Sequence, residues 1–165
     1  MRNPRRFRIL ITATLLSLPG FQIAVAQAQQ TPAESTVQTD NSIPASALMQ
    51  PAELVKMLNT ADKPVILQIG SHVLYAEAHV PGSEYIGAAG TSAGLQALRE
   101  RVSGLKKDQP IVLYCGCCPW GRCPNIRPAF DLLQTLGFSD VKALYLAENF
   151  GSDWVNKGYP VAKGR

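Results

Sequence analysis

The chain has 165 residues, of which 46% are hydrophobic and 17% charged. This composition is typical of globular proteins and excludes collagens, mucin-like stalks and largely disordered chains. The net charge of +4 is supplied by Arg2, Arg5, Arg6 and Arg8, so the remainder of the chain is neutral and offers no electrostatic basis for binding nucleic acid or anionic lipid.

The first 26 residues have the pattern of a secretory signal peptide. The basic segment MRNPRRFR precedes an apolar run, Ile9 to Leu18, and FQIAVAQAQQ then contains two small-x-small cleavage patterns. The apolar run is roughly half as long as a membrane-spanning helix requires. We therefore predict a signal peptide over residues 1–26, cleavage after Ala26 or Ala28, and a periplasmic or secreted protein with no membrane association after cleavage.

The next segment, residues 27–42, is rich in Gln, Thr, Ser, Ala and Pro and has almost no large apolar side chains. Such a segment cannot bury enough surface to fold, so we predict a disordered linker there. Residues 43–165 then form one domain of ordinary length.

Within this domain, short apolar runs typical of strands alternate with segments of helical periodicity. The predicted helices are Pro51–Asn59, residues 92–103 and Ile126–Leu136. The predicted strands are Pro64–Ile69, Ile111–Tyr114 and Val141–Leu146. This alternation predicts an α/β domain with a central, mainly parallel sheet covered by helices on both faces. In the terminal stretch, Trp154 is predicted to be a core residue.

All the cysteines of the chain lie in one loop: Cys115, Cys117, Cys118 and Cys123. In open α/β sheets, ligands bind beyond the carboxyl ends of the strands. Cys115 lies at such an end, directly after the predicted strand Ile111–Tyr114. The loop leads directly into a helix, with Asn125 as its predicted cap. Because backbone amides and a helix N-terminus stabilise an anion, we expect the pKa of the Cys115 thiol to be lowered.

The domain resembles the rhodanese-like family. The matching features are the strand PVILQI, the segment AHVPGS, the strand ending YC, the tripeptide LGF and the closing pattern W-x-x-x-G-Y-P-V. They occur in the family's order and cover nearly all of residues 43–161. The resemblance implies a single rhodanese-like domain and a cysteine, Cys115 by position, that takes a sulfane sulfur as a persulfide and passes it to a nucleophile.

Three features depart from the family pattern. Charged residues near the end of the early strand are replaced by Gln68, Gly70 and Leu74, so the charged support of the site is altered or absent. Six residues separate Cys115 from Arg122, where the family has four, and this predicts a wider pocket. Counted from Cys117 the interval is the usual four, so Cys117 is an alternative nucleophile. The additional cysteines, which the family does not require, suggest chemistry beyond simple sulfur transfer.

The leading hypothesis is therefore an exported sulfurtransferase with no cofactor and no bound metal. We expect the Cys115 thiolate to attack thiosulfate, a polysulfide or a persulfide. Arg122 would contact the anionic substrate together with Gly116, Trp120 and Gly121. The other three thiols are auxiliary: Cys117 or Cys118 can attack the persulfide, releasing sulfide and leaving a disulfide. A protein thiol is one candidate acceptor.

Two other functions remain open. Cys115 and Cys118 have the Cys-x-x-Cys spacing of thiol–disulfide exchange proteins, and neighbouring thiols readily form disulfides in an oxidising compartment. A cluster of soft thiolates also suits Cu(I), which would make the domain a metal-binding module without turnover.

Overall fold

The computed structural model describes residues 43–164, so the predicted signal peptide (1–26) and linker (27–42) lie outside the described residues. One sheet contains five strands: β1 (Leu48–Met49), β2 (Val65–Gln68), β3 (Glu84–Tyr85), β4 (Ile111–Tyr114) and β5 (Val141–Leu144). Their order is β1-β5-β4-β2-β3, and every pairing is parallel. The predicted α/β fold with a parallel sheet is confirmed.

Among the described residues, four α-helices connect these strands and a fifth follows β5: α1 (Pro51–Met57), α2 (His72–Glu77), α3 (Ser92–Val102), α4 (Ile126–Thr135) and α5 (Phe150–Asp153). Local sequence explains where the longer ones begin. At α1, Gln50 and Glu53 form a reciprocal capping box before Pro51, whose missing N–H costs nothing in the first turn. At α3, the Thr91 hydroxyl accepts a hydrogen bond from the Gly94 amide, 3.1 Å away.

The sheet has a hydrophobic core on each face because successive strand residues point to opposite sides. One face packs strand residues against α3 and α4: Leu67, Leu113, Ala143, Leu98 and Leu133. The other packs strand residues against α1, α5 and the segment after it: Ile66, Val112, Leu144, Leu54, Phe150 and Trp154. Helices therefore cover both faces, as predicted, and Trp154 is fully buried.

The six predicted elements are all present, with ends shifted by at most two residues. Sequence periodicity missed β1, β3, α2 and α5, because two-residue strands and helices of four or six residues are too short to show a period. Within residues 43–164, none of the helices is long and apolar enough to cross a membrane.

Candidate active site

The cysteine loop begins at the carboxyl end of β4, which lies between β2 and β5 in the sheet. Gly116 lets the chain turn there: its φ is +75°, and a Cβ at this position would lie 2.7 Å from the Cβ of Phe150. The Gly116 carbonyl accepts a hydrogen bond from the Phe150 amide, 3.0 Å away. Glycine is therefore required both by the left-handed backbone and by the close approach of α5.

The loop gathers its sulfur atoms into one cluster. The Sγ of Cys117 lies 3.0 Å from that of Cys115 and 3.4 Å from that of Cys118. All three sulfurs lie within 4.8 Å of one another. Cys123 also interacts with Cys115 and Cys118, and none of the four cysteines forms a disulfide. The cluster therefore brings together every auxiliary thiol predicted from the sequence.

Burial and hydrogen bonding shift the pKa values of Cys115 and Cys117 in opposite directions. Cys115 is only 4% exposed, whereas Cys117 is exposed to solvent. Because its hydrogen bond with Cys117 favours the protonated form of Cys115, and because Cys123 and burial act in the same direction, the pKa of Cys115 is raised. The same hydrogen bond lowers the pKa of Cys117 to about 6. The prediction of a lowered pKa for Cys115 is wrong, because the more exposed neighbour holds the negative charge.

The amides at the start of α4 act on a different sulfur from the one predicted. Interaction with the Cys115 side chain lowers the pKa of Cys123 to about 6, and the backbone N–H groups of Asn125 and Ile126 also lower it. Burial raises the pKa of Cys118 to about 12, with the neighbouring Cys117 adding to the rise. The pKa is thus raised at Cys115 and Cys118 and lowered at Cys117 and Cys123.

Asn125 is a buried polar residue that positions the sulfur cluster. Its Nδ2 donates to the Sγ of Cys115, 3.1 Å away, and is 4.0 Å from that of Cys117. Its Oδ1 accepts from the Gly90 amide at 2.7 Å. The predicted capping role is wrong for the side chain, which makes no capping hydrogen bond because both of its polar atoms are engaged in these contacts.

Two of the residues that depart from the family pattern hold Cys115 in place. The Gln68 side chain donates through Nε2 to the Cys115 carbonyl at 3.0 Å and accepts through Oε1 from the Gly70 amide at 3.2 Å. A Cβ on Gly70 would lie 2.9 Å from the Cys115 sulfur. Gln68 therefore fixes the backbone of Cys115, and Gly70 leaves room for its side chain. The signal for this role was a single polar residue in an otherwise apolar strand.

A cavity of about 360 Å³ opens beside the loop, between α2 and α5. Cys115, Gly116 and Cys117 line it from the loop side. On the other side of Cys115, a space of about 10 Å³ is lined by Cys118, Trp120 and Cys123, and it is too small for a substrate. Of these two spaces, the larger one is big enough to give a small molecule access to the cluster.

The remaining predicted substrate contacts lie apart from both spaces. Gly121 and Arg122 are exposed, both lie in the short 3-10 turn Trp120–Arg122, and neither lines the cavity or the smaller space. A contact between Arg122 and an anion remains a prediction.

Replacing Asn125 by aspartate tests the electrostatics of the cluster. Asn125→Asp keeps an oxygen for the Gly90 amide but places a carboxylate where a donor faced Cys115. Repulsion should raise the pKa of Cys117 by about one unit, so its alkylation by iodoacetamide at pH 6 should slow about fivefold to tenfold. The alkylation rate of Cys117, measured against pH by peptide mapping, checks this. An unchanged profile would show that Asn125 has no influence on the thiolate.

Comparison with known proteins gives a family match and several similar structures. The family model described as "Rhodanese-like domain" matches residues 50–146. The BH2092 protein of Bacillus halodurans is 20% identical, with a TM-score of 0.55, 72% of this chain covered and 77% of that one. The rhodanese-like domain of the Alr3790 protein of Anabaena sp. is 20% identical, with a TM-score of 0.51, 71% of this chain covered and 79% of that one.

A thiosulfate sulfurtransferase from Pseudomonas aeruginosa is 25% identical, with a TM-score of 0.52. The match covers 71% of this chain but only 19% of that enzyme. None of the curated proteins compared with the chain matches it.

Proposed function

Since the chain belongs to the rhodanese-like domain family, we propose that it is an exported sulfurtransferase whose cysteine loop carries a sulfane sulfur as a persulfide. The observation that carries this proposal is an exposed cysteine of lowered pKa in the loop that follows the central strand, lining a cavity large enough for a small molecule. A thiolate is the reactive form of cysteine toward a sulfur–sulfur bond.

Either Cys115 or Cys117 could be the nucleophile that takes up the sulfur. Three properties favour Cys117. Cys117 is exposed, it carries the lowered pKa, and four residues separate it from Arg122, which is the usual interval of the family. Cys115, the candidate by position in the sequence, is nearly inaccessible and holds its proton. We assign Cys115 to stabilising the Cys117 thiolate through their hydrogen bond.

The reaction transfers one neutral sulfur atom without net oxidation. The Cys117 thiolate attacks the outer sulfur of a donor R–S–SH, the donor S–S bond breaks, and R–S⁻ leaves, giving Cys117–S–SH. With thiosulfate as donor, the leaving group is sulfite. An acceptor thiolate then takes the sulfur and restores the Cys117 thiolate. If Cys115 attacks instead, sulfide leaves and a Cys115–Cys117 disulfide remains, which an external thiol must reduce.

Export is the second part of this proposal. Its support is the basic segment, the apolar run and the cleavage patterns of residues 1–28. A mature chain beginning at Gln27 or Gln29 is the expected product. Intact-mass measurement of protein isolated from the periplasm or medium tests this, and retention of residues 1–26 would contradict it.

Mass spectrometry after reduction and brief exposure to a donor tests the transfer itself. We expect the loop peptide to gain the mass of one sulfur atom, and a later excess of dithiothreitol to remove it. The donors to use are thiosulfate, inorganic polysulfide and an alkyl persulfide. A peptide that only loses two hydrogen atoms with every donor would contradict the proposal and favour the thiol–disulfide function.

A second candidate function, binding of Cu(I), is favoured by the positions of three sulfurs. The Sγ atoms of Cys115, Cys117 and Cys118 lie within 4.8 Å of one another, and three thiolates around one metal at about 2.3 Å would lie roughly 4 Å apart. Such soft donors select Cu(I) over harder cations. Titration of the reduced protein with Cu(I) against a competing chelator tests this. Failure to compete for the metal at micromolar chelator would exclude it.

A further inference from the structure

The wall of the cavity beside the cysteine loop is mostly apolar. Leu74 of α2 and Val155, just beyond α5, line it although they are 39% and 38% exposed. Phe150 and Ala78 add further apolar surface to the same wall. Such a surface favours a ligand that has a carbon skeleton, because burying apolar atoms of both partners removes them from water.

The only charged residue among the described residues that line this cavity is acidic. Glu77, at the end of α2, contributes a carboxylate to the wall, and neither a lysine nor an arginine accompanies it. The ionised Cys117 sulfur adds a second negative charge from the loop. A dianion that enters the cavity therefore meets two like charges and has no cation to pair with.

The volume of the cavity also favours an organic ligand over thiosulfate. About 360 Å³ is within the range of pockets that hold organic ligands. Thiosulfate, with five heavy atoms, would leave most of that space and the apolar wall without contacts.

Resting on the proposed function, we propose that the sulfur donor is an organic persulfide with a short apolar body and an amine at its far end, and that the cavity selects it over thiosulfate. In the bound state, the outer sulfur faces Cys117, the carbon skeleton contacts Leu74 and Phe150, and the ammonium group pairs with Glu77. Transfer leaves the corresponding aminothiol as its thiolate, so atoms and charge balance as in the general reaction. Glu77 is the residue that determines specificity.

A series of donors with matched size tests the charge preference. The persulfides of 2-aminoethanethiol, 2-mercaptoethanol and 3-mercaptopropionate carry a positive, a neutral and a negative end group. At low ionic strength we expect the donor concentration for half-maximal loading to rise about fivefold at each step. The maximal rate should change little, because the end group lies away from the reacting sulfurs. Thiosulfate should require the highest concentration, and 0.5 M NaCl should reduce all of these differences.

Substitutions of Glu77 identify the source of the preference. Glu77→Gln should abolish the difference between the amine and hydroxyl donors, and Glu77→Lys should reverse the order of the amine and carboxylate donors. Glu77 is exposed, so neither change should affect folding. Asp108→Asn is the matched control. Asp108 is an exposed acidic residue just before β4, at the opposite end of that strand from the cysteine loop. This variant should leave the concentration for half-maximal loading unchanged for every donor.

The outcomes separate this inference from the proposed function. If no donor adds sulfur to the loop of the wild-type protein, the sulfurtransferase proposal itself fails. If all donors add sulfur but thiosulfate is as effective as the amine persulfide, the function stands and the inference is wrong. The inference is also wrong if Glu77→Lys and Asp108→Asn have the same effect on the donor order.

Discussion

Cys117→Ser should lower the rate of sulfur loading at neutral pH by about 100-fold or more. The variant lacks the cysteine that is both exposed and of lowered pKa. A serine hydroxyl is not deprotonated at this pH and does not attack a sulfane sulfur. Loading is measured as the rate at which the loop peptide gains one sulfur from an alkyl persulfide under reducing conditions. The fold should be retained, since Cys117 is on the surface of the loop.

Cys115→Ser is the matched control for this prediction. Its hydroxyl can still donate a hydrogen bond to the Cys117 sulfur in place of the thiol, so loading at neutral pH should fall by less than about tenfold. Cys118→Ser and Cys123→Ser should also retain loading and chiefly change the rate at which sulfide is released. If Cys115→Ser stops loading and Cys117→Ser does not, the strand-end cysteine is the nucleophile and our assignment is wrong.

Trp154→Ala should have the largest effect on stability, about 3–5 kcal/mol of the free energy of unfolding. Trp154 is completely buried, stacks on Phe150 with ring centroids 5.7 Å apart, and donates through Nε1 to the Pro160 carbonyl at 2.7 Å. The substitution removes these contacts and leaves a cavity. Domains of this size have a free energy of unfolding of only about 5–15 kcal/mol. The substitution should therefore remove a large fraction of the total stability.

Urea unfolding followed by circular dichroism measures this loss. Trp154→Phe is the control, since it keeps an aromatic ring against Phe150 and loses chiefly the hydrogen bond and part of the volume. It should cost clearly less than the alanine variant. A loss below about 1 kcal/mol for Trp154→Ala would mean that the indole is not part of a close-packed core.

The central strands and longer helices were predictable because each has a clear hydrophobic pattern. Ile111–Tyr114 is apolar throughout, as expected of a strand buried on both faces of a parallel sheet. Ile126–Thr135 buries Ile126, Ala129, Phe130 and Leu133 at helical spacing. The short elements α2 and α5 carry too few residues for a pattern, yet they form the two walls of the cavity. The substrate surface was therefore less predictable than the core.

The location of the site was predictable, but its electrostatics were not. The position of Cys115 after a central strand follows from the general behaviour of α/β sheets. The proton distribution depends on which sulfur is exposed and on a 3.0 Å contact between side chains two residues apart, and neither appears in a sequence pattern. The same holds for Asn125, whose position at the helix start suggested capping although its side chain points to the cluster.

The pH dependence of sulfur loading tests the central claim, that an ionised Cys117 receives the sulfur, most directly. Thiosulfate is the suitable probe despite its expected weak binding, because its charge does not change between pH 5 and pH 9. A thiol with a lowered pKa gains its reactive form as the pH rises and loses it as the pH falls through that pKa. We therefore predict that the loading rate is half-maximal near pH 6 and constant above about pH 7.5. A rate that continues to rise up to pH 9 would contradict the claim, because it would indicate attack by a thiol of raised pKa such as Cys115.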